Sequence, residues 1–294
     1  MPDAPPRADA ARPRSVALVG PYGTGKSTLF DALLAAAGSP VRRSPDPRGR
    51  GAGAEMRLAH CGHLGDHWSL LDCPGSVEFA HTEAAALAVV DLAVVVCDPV
   101  PARALAAAPV LRALDEAGLP YLVFVNKLDT PEAGVRDTLA ALQAHSRRPL
   151  VLRQVPIRED GRVTGYADVV SERAYRYREG GPAELIRLPE HVRAREQEGR
   201  DALIEALADR ARMSPRNFAR VFLRETGTTP QKFVEGARLD AARACLERTR
   251  EPVERIAEAA GFGTAETMRR TFLRRLGVTP QDYRSHFRAE AAMP

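Results

Sequence analysis

Gly20-Pro-Tyr-Gly-Thr-Gly-Lys-Ser27 is the stretch that decides the fold of the first half of this 294-residue chain. The β-branched and apolar run from Ser15 to Val19 precedes it and predicts a buried strand, and a helix is predicted from Lys26 to about Ala37. Between a strand and a helix, the spacing GxxxxGK[ST] lets backbone N–H groups turn inward around phosphate oxygens. The stretch therefore predicts a phosphate-binding loop, with a glycine turn that holds no ligand as the alternative.

The segments that follow predict a parallel sheet with helices on its faces. Further strands are predicted at Glu55–His60, Trp68–Leu71, Leu92–Val96 and Tyr121–Val125, with a helical pattern over Pro101–Ala117. Alternation of strands and helices is typical of this α/β class. Beyond Asp129 the alternation of strands and helices becomes less regular. The elements predicted there are a helix at Thr130–His145, extended chain at Pro149–Arg158, a turn at Gly161–Gly165, a strand at Val169–Tyr177 and partial helix over Pro182–Asp209.

Two downstream motifs indicate which nucleotide the loop binds. Asp72-Cys-Pro-Gly75 ends one predicted strand, so Asp72 could hold Mg²⁺ and the Gly75 N–H could sense a γ-phosphate. Asn126-Lys-Leu-Asp129 ends another, and its last carboxylate can accept from both N1–H and N2–H₂ of guanine, a donor pair that adenine lacks. Lys26 would reach the β- and γ-phosphates, and the Ser27 hydroxyl would bind Mg²⁺ beside Asp72. The predicted nucleotide site is Gly20, Gly23, Gly25, Lys26, Ser27, Thr28, Asp72, Gly75, Asn126, Lys127 and Asp129.

These motifs resemble the GTP-binding domain of translational GTPases, nearest to elongation factor G and its elongation factor G-like relatives. The resemblance runs from roughly Ser15 to Asp209 and includes DCPGSVEF at Asp72–Phe79 and LRQVPIREDGRVTGYADVV at Leu152–Val170. It implies a GTP/GDP site with Mg²⁺ in a P-loop domain over residues 15–203.

Three departures from that family qualify the resemblance. Ser76 stands where the family has its catalytic histidine. Arg48–Glu55 stands where the family has its first switch segment, but it contains no threonine that could bind Mg²⁺. The family's serine–alanine loop, last strand and last helix are not found in the sequence. We therefore expect an incomplete domain that binds nucleotide, with efficient hydrolysis not expected; a working translocase is not expected either, because the translocation domains are not found.

The C-terminal part differs from the rest in charge and carries an internal repeat. Residues 210–294 hold 17 Lys and Arg against 10 Asp and Glu, whereas residues 1–209 hold 25 against 28. Arg220–Phe233 (RVFLRETGTTPQKF) aligns with Arg270–Tyr283 (RTFLRRLGVTPQDY) at an offset of 50 residues. Two copies of one helical unit with a net positive charge favour contact with a polyanion.

Each copy predicts a helix, a turn and a second helix. In the first, Ala206–Met213 is the opening helix, and Ser214 caps a helix over Pro215–Glu225 that turns Phe218 and Phe222 inward and Arg216 and Arg220 outward. In the second, Val253–Ala260 and the turn at Gly261–Gly263 precede a helix over Ala265–Leu276. There Met268 and Phe272 point in, and Glu266, Arg269 and Arg270 point out. The alternative is a pair of helical hairpins with solvated arginines.

Residues from about Ile204 to Phe287 resemble both halves of an AraC-type DNA-binding domain, including the helix Pro230–Thr249 between them. The resemblance implies an all-α double helix-turn-helix domain at 204–290, with double-stranded DNA as partner and the second helix of each unit in successive major grooves roughly 34 Å apart. The DNA-contacting residues it implies are Arg216, Arg220, Arg224, Glu266, Thr267, Arg270 and Arg274, of which Arg224 and Arg274, with Arg275, suit phosphate. Such regulators carry an N-terminal sensing or dimerising domain, which leaves a homodimer open.

Other features bear on location and on metals. The first 14 residues are rich in proline and arginine, so we expect a disordered tail and no secretion signal. Ala84–Cys97 is interrupted by Asp91 and too short to cross a bilayer, and the four cysteines form no CxxC pair, which suits a cytoplasmic protein. His60, Cys61, His63 and His67 lie in one predicted hairpin, for which a polar loop is favoured over a metal site.

The resulting hypothesis is a sequence-specific DNA-binding transcriptional regulator with a GTP/GDP-binding N-terminal domain. Two alternatives stay open: a GTPase of the translation-factor class with an incidental DNA-binding tail, and a fusion whose G domain does not function. Weak GTPase activity is left undecided.

Overall fold

The computed structural model describes residues 14–40, 56–63, 66–130, 134–178 and 181–290. It divides into two compact units, Met1–Leu150 and Val151–Pro294. The predicted tail at residues 1–14 lies outside the described residues except for Arg14, which begins the first strand.

The first unit is built on a five-stranded sheet in the order β2-β3-β1-β4-β5. Its elements are β1 (Arg14–Val19), α1 (Lys26–Ala36), β2 (Arg57–His63), β3 (Asp66–Asp72), α2 (Ala80–Leu87), β4 (Leu92–Cys97), α3 (Pro101–Ala104), α4 (Ala108–Ala117), β5 (Tyr121–Val125) and α5 (Val135–Gln143). Among these described strands, β2 and β3 pair antiparallel and the other neighbours pair parallel. The predicted α/β fold with a parallel sheet is confirmed.

Central strand β1 is buried on both faces. Val16 and Leu18 pack with Phe30 on one face, and Ala17 and Val19 belong to the cluster on the other. A parallel strand covered by helices on both sides must be apolar at every position, which is why Ser15–Val19 shows no polar alternation.

The second unit opens with a four-stranded antiparallel sheet in the order β6-β7-β8-β9. Its strands are β6 (Gln154–Glu159), β7 (Arg162–Asp168), β8 (Arg173–Arg178) and β9 (Gly181–Ile186), and α6 (Glu190–Arg210) follows them. Val192 of α6 packs with Val155, Ile157 and Ala167.

The predicted turn at Gly161–Gly165 is wrong, because most of it belongs to β7. The turn is made by Asp160 and Gly161, whose φ angles of 51° and 76° allow a two-residue hairpin. Gly165 lies within the strand, where a Cβ would collide with the Tyr175 carbonyl group. It therefore serves close strand packing.

The remaining helices are α7 (Pro215–Thr226), α8 (Pro230–Arg248), α9 (Val253–Ala259), α10 (Ala265–Leu276) and α11 (Pro280–Glu290). These bounds agree closely with the helices predicted from Pro215 onward. The predicted opening helix Ala206–Met213 is instead the end of α6, so the predicted domain boundary at residues 203 and 204 falls inside one helix.

Candidate nucleotide-binding and DNA-binding sites

The glycine loop after β1 turns through backbone conformations that favour glycine. Gly20, Gly23 and Gly25 have φ angles of 125°, 76° and 94°, and α1 begins directly after the last of them. The Lys26 ammonium group donates to the carbonyl oxygens of Gly20 at 2.7 Å and Pro21 at 2.9 Å. The loop and the start of α1 thus bring a lysine and the first N–H groups of the helix together after β1.

Two carboxylates lie close to this lysine. Burial is the main cause that lowers the pKa of Lys26, and the charges of Asp72 and Glu83 oppose it. Burial likewise raises the pKa of both carboxyls, and the Glu83 carboxyl is also hydrogen-bonded to the Gly20 backbone. The site therefore holds partly desolvated charges of both signs, which is typical of sites that bind charged ligands.

The Asp72 carboxylate connects the loop to the hairpin β2–β3. Its partners include the Ser27 hydroxyl and the guanidinium of Arg57, which lies 3.6 Å from Asp72 and also bonds Asp31 at 2.6 Å. A hydroxyl and a carboxylate in contact are oxygen ligands of the kind that Mg²⁺ prefers. Ser27 and Asp72 thus fit the predicted metal role.

Gly75 approaches the loop so closely that no side chain fits. A Cβ there would lie 2.5 Å from the Gly20 carbonyl oxygen and would also collide with the Lys26 ammonium group. The backbone of the Asp72–Gly75 motif is therefore placed beside the Lys26 ammonium group.

The Asn126–Asp129 motif is hydrogen-bonded directly to the glycine loop after β1. The Asn126 amide donates to the Thr24 carbonyl at 2.8 Å, and the Lys127 ammonium donates to the Gly23 carbonyl at 2.6 Å. Lys127 has a φ of 55°, and Asp129 is exposed two residues later. Two side chains of the Asn126–Asp129 motif therefore fix its position relative to the glycine loop.

The structure brings together most of the predicted nucleotide-site residues, while Thr28 is exposed on α1. Arg48–Glu55 lies outside the described residues. Sequence reasoning missed Arg57 and Glu83. The hairpin register, which pairs Arg57 with Asp72, could have indicated the first; no local pattern marks Glu83.

The second helix-turn-helix unit has a firmly buried core. Ile256, Phe262, Met268 and Phe272 are fully buried, and the Phe272 ring meets Tyr283 edge-on at 5.8 Å. The turn contains Gly261 and Gly263 with φ angles of 77° and 75°. These contacts hold α10 in one orientation.

Charged side chains cover the opposite side of α10. Glu266 accepts from Arg269 at 2.7 Å and from Arg270 at 2.8 Å, and Arg270 is 76% exposed. The hydrogen bond from Arg269 has the largest effect and that from Arg270 the next largest, and together they lower the pKa of Glu266 to about 2. Thr264 caps the helix by accepting from the Thr267 N–H at 3.1 Å, and the two threonine hydroxyls bond each other.

The first helix-turn-helix unit repeats this design with a looser core. Phe218 and Phe222 are half-buried, and Phe222 meets the half-exposed Phe233 at 5.4 Å. Arg216 and Arg220 are exposed as predicted, with Arg220 donating to Asn217 at 2.9 Å.

The candidate phosphate contacts lie on α7 and α10. Arg224 pairs with Glu225 at 2.6 Å, and Arg274 and Arg275 both pair with Glu235 of α8. All three arginines are exposed. They are therefore accessible to a polyanion, provided that it displaces these ion pairs.

Within the part of the chain that the structure describes, no helix is long and apolar enough to span a membrane. The same residues contain no cluster of His, Cys, Asp and Glu suited to a metal ion. The hairpin of His60 and His63 instead pairs His60 with the Ser69 hydroxyl at 2.9 Å.

Comparison with known families gives two matches, one for the N-terminal two thirds of the chain and one for the C-terminal part. The family model of the elongation factor Tu GTP binding domain matches residues 11–211. The chain belongs to this family. A helix-turn-helix domain model matches residues 207–286, so the G domain is followed directly by a DNA-binding type of domain.

The individual relatives also match either the N-terminal or the C-terminal part of this chain. An elongation factor G-like protein from Synechocystis is 38% identical over 67% of this chain and 31% of its own length. An HTH-type transcriptional regulator from Mycobacterium tuberculosis, Rv1931c, is 52% identical over 29% of this chain and 32% of its own. A crystal structure of a protein from Thermus thermophilus matches 67% of this chain and 31% of that one, with 29% identity and a TM-score of 0.57. The chain thus spans about a third of the length of each relative.

Proposed function

We propose that this protein is a sequence-specific DNA-binding transcriptional regulator whose N-terminal G domain binds GTP or GDP. The observation that carries the proposal is α10, which presents Glu266, Arg269 and Arg270 to solvent above the buried Met268 and Phe272. A rigidly packed helix with a charged outer face can enter a major groove and contact base edges. The similarity to an HTH-type transcriptional regulator supports the same conclusion.

Glu266 organises this recognition surface before DNA arrives. Its carboxylate accepts hydrogen bonds from Arg269 at 2.7 Å and Arg270 at 2.8 Å, and these bonds hold both arginines along one side of the helix. Arg270 suits the O6 and N7 acceptors of guanine, whereas a released Glu266 oxygen can accept from cytosine N4. Pre-ordering of these long side chains reduces the entropy lost on binding.

The test is a band-shift measurement on an operator selected from random DNA. Arg270→Ala should weaken binding by about 1–3 kcal/mol and relax the preference at one base position. Arg195→Ala, on the exposed surface of α6, is the matched control and should bind as the parent does. The absence of any sequence preference in the parent protein would refute the proposal.

The nucleotide part of the proposal rests on the joined loops of the first unit. Lys26, Ser27 and Gly75 lie together at the start of α1, and Asn126 and Lys127 attach the base-selecting motif to the loop. When a guanine nucleotide is bound with Mg²⁺, Ser27 and Asp72 would hold the metal, which neutralises phosphate charge. Asp129 would accept from the guanine base.

Calorimetric titration with GTP, GDP and ATP tests this assignment. We expect binding of GTP and GDP, no comparable binding of ATP, and loss of binding in Lys26→Ala. Asp129→Asn should remove the preference for guanine over adenine, because an amide cannot accept from two donors with both its groups. Asp137→Asn, an exposed carboxylate on α5, is the control; equal affinity for GTP and ATP in the parent would contradict the assignment.

A GTPase is the second candidate, favoured by the intact contact of Ser27 with Asp72 and by the close packing of Gly75. Ser76 follows that glycine and has no ring nitrogen with which to orient water, so we expect slow turnover at most. Measured GTP hydrolysis clearly above that of Lys26→Ala would favour this candidate. Rapid proteolysis of the N-terminal half beside a protected C-terminal fragment would instead favour a fusion with a non-functional G domain.

A further inference from the structure

The second unit contains a cavity of about 430 Å³ that the functions above do not use. It lies among the segment that joins β7 to β8, helix α8, and the turn before α10. Its lining residues are Val170, Ser171, Glu172, Arg173, Lys232, Val234, Glu235, Arg238, Phe262 and Arg274. A volume of this size is within the range that holds small organic ligands.

The lining has a surplus of positive charge. It contains four cations and two carboxylates, and both carboxylates are already bound by arginines: Glu172 by Arg200, and Glu235 by Arg274 together with Arg275. Since Arg200 and Arg275 do not line the cavity, they neutralise its carboxylates from outside. The charges of Arg173 and Lys232 are thereby left in excess, while Arg238 pairs at 3.8 Å with Asp168, which does not line the cavity.

Arg238 is a largely buried member of this group of cations. Its side chain is 13% exposed, and the carboxylate oxygen that pairs with it belongs to Asp168, 3.8 Å away. That carboxylate is shared with Arg153, which approaches it to 2.5 Å. Burial is the main cause that lowers the pKa of Arg238; Asp168 opposes this effect, and the nearby charge of Arg173 adds to it. Because Asp168 is shared between two guanidinium groups, it compensates the charge of Arg238 only in part, and a further anion beside Arg238 would complete the pairing.

We propose that this cavity binds a small phosphate ester. Two arginines and a lysine match a phosphate dianion in charge and in hydrogen-bond donors, and guanidinium groups bind phosphate through paired N–H groups. Val170 and Val234 supply apolar surface for the organic part of such a ligand.

The position of the cavity connects this ligand to α10. Arg173 donates to the Phe262 carbonyl at 3.3 Å, and a Cβ on Gly263 would collide with the Tyr175 ring, so the turn before α10 is packed closely on β8. Arg274, on α10 itself, also lines the cavity. Provided that the proposed DNA-binding function holds, an occupant here changes the affinity for DNA.

Calorimetric titration without DNA tests the site independently of that function. The probes are inorganic phosphate and pyrophosphate, with succinate at matched ionic strength, and the full chain carries Lys26→Ala to remove binding at the glycine loop. We expect one saturable phosphate-binding site, weakened at least tenfold by Arg238→Gln and by Lys232→Gln. Lys232 is exposed, so its replacement should leave the packing of the core unchanged.

Arg162→Gln is the matched control, because this arginine is exposed on β7 and does not line the cavity. It should bind phosphate as the parent does. The proposal is overturned if phosphate shows no saturable binding, if the two cavity variants bind it unchanged, or if succinate binds as tightly. A failed band shift with intact phosphate binding would refute the regulator function and leave this site standing.

Discussion

Gly25→Ala should damage the nucleotide site by breaking the link between its two loops. Gly25 has a φ of 94°, and a Cβ there would collide with the Asn126 amide, which donates to the Thr24 carbonyl at 2.8 Å. The amide is the end of a movable side chain, so it can rotate away, but it then loses this hydrogen bond. The predicted effect has two parts, backbone strain and a lost contact.

A matched variant separates these two parts. Gly118 has a φ of 67° at the end of α4, and a Cβ there would meet open space. Left-handed backbone costs alanine about 1–2 kcal/mol at either position. Only Gly25→Ala also loses the Asn126 hydrogen bond, which contributes about 0.5–1.5 kcal/mol. Gly25→Ala should therefore be about 1 kcal/mol less stable than Gly118→Ala.

Urea unfolding followed by circular dichroism measures the free energy of unfolding of both variants, and calorimetry measures their affinity for GDP. Gly118→Ala should bind GDP as the parent does, because it belongs to neither loop. Gly25→Ala should bind about fivefold more weakly, which corresponds to about 1 kcal/mol. Equal stability of the two variants, together with unchanged GDP affinity in Gly25→Ala, would refute the reasoning.

Three further predictions concern the second unit. Phe272→Ala should lower the free energy of unfolding by about 3–5 kcal/mol, because the side chain is fully buried, whereas the partly exposed Leu273→Ala should cost much less; urea titration decides. Burial tends to raise the pKa of Asp168, but hydrogen bonds from Arg153 and Ser171 hold it below its ordinary value. The stabilisation that ionised Asp168 provides should therefore be present above a pH of about 4 and lost as the pH falls further. The free energies of unfolding of Asp168→Asn and of the parent should then converge in acid, and a difference that widens there would contradict this. Arg224→Gln should reduce the slope of log affinity for DNA against log salt by about 1, as loss of one phosphate contact requires, and an unchanged slope would remove this residue from the interface.

Local patterns in the sequence predicted the parts of this molecule that depend on local physics. The glycine loop and the caps at Ser214 and Thr264 follow from backbone conformation and hydrogen bonding within a few residues. The alternation of strands and helices likewise predicted the parallel sheet. The β7 strand was mistaken for a turn because Gly161 and Gly165 look alike in sequence, although only the first is at the turn.

By itself, then, the sequence determined which segments form the glycine loop after β1, the Asn126–Asp129 motif after β5 and the two arginine-bearing helices. Only the tertiary structure decided that Arg57 and Glu83 join the nucleotide site, that the second helix-turn-helix unit packs more tightly than the first, and that Arg173 and Arg238 share one cavity. The physical reason is that these features arise from contacts between segments distant in sequence. Burial and charge pairing at such contacts depend on how whole elements pack, which no local periodicity encodes.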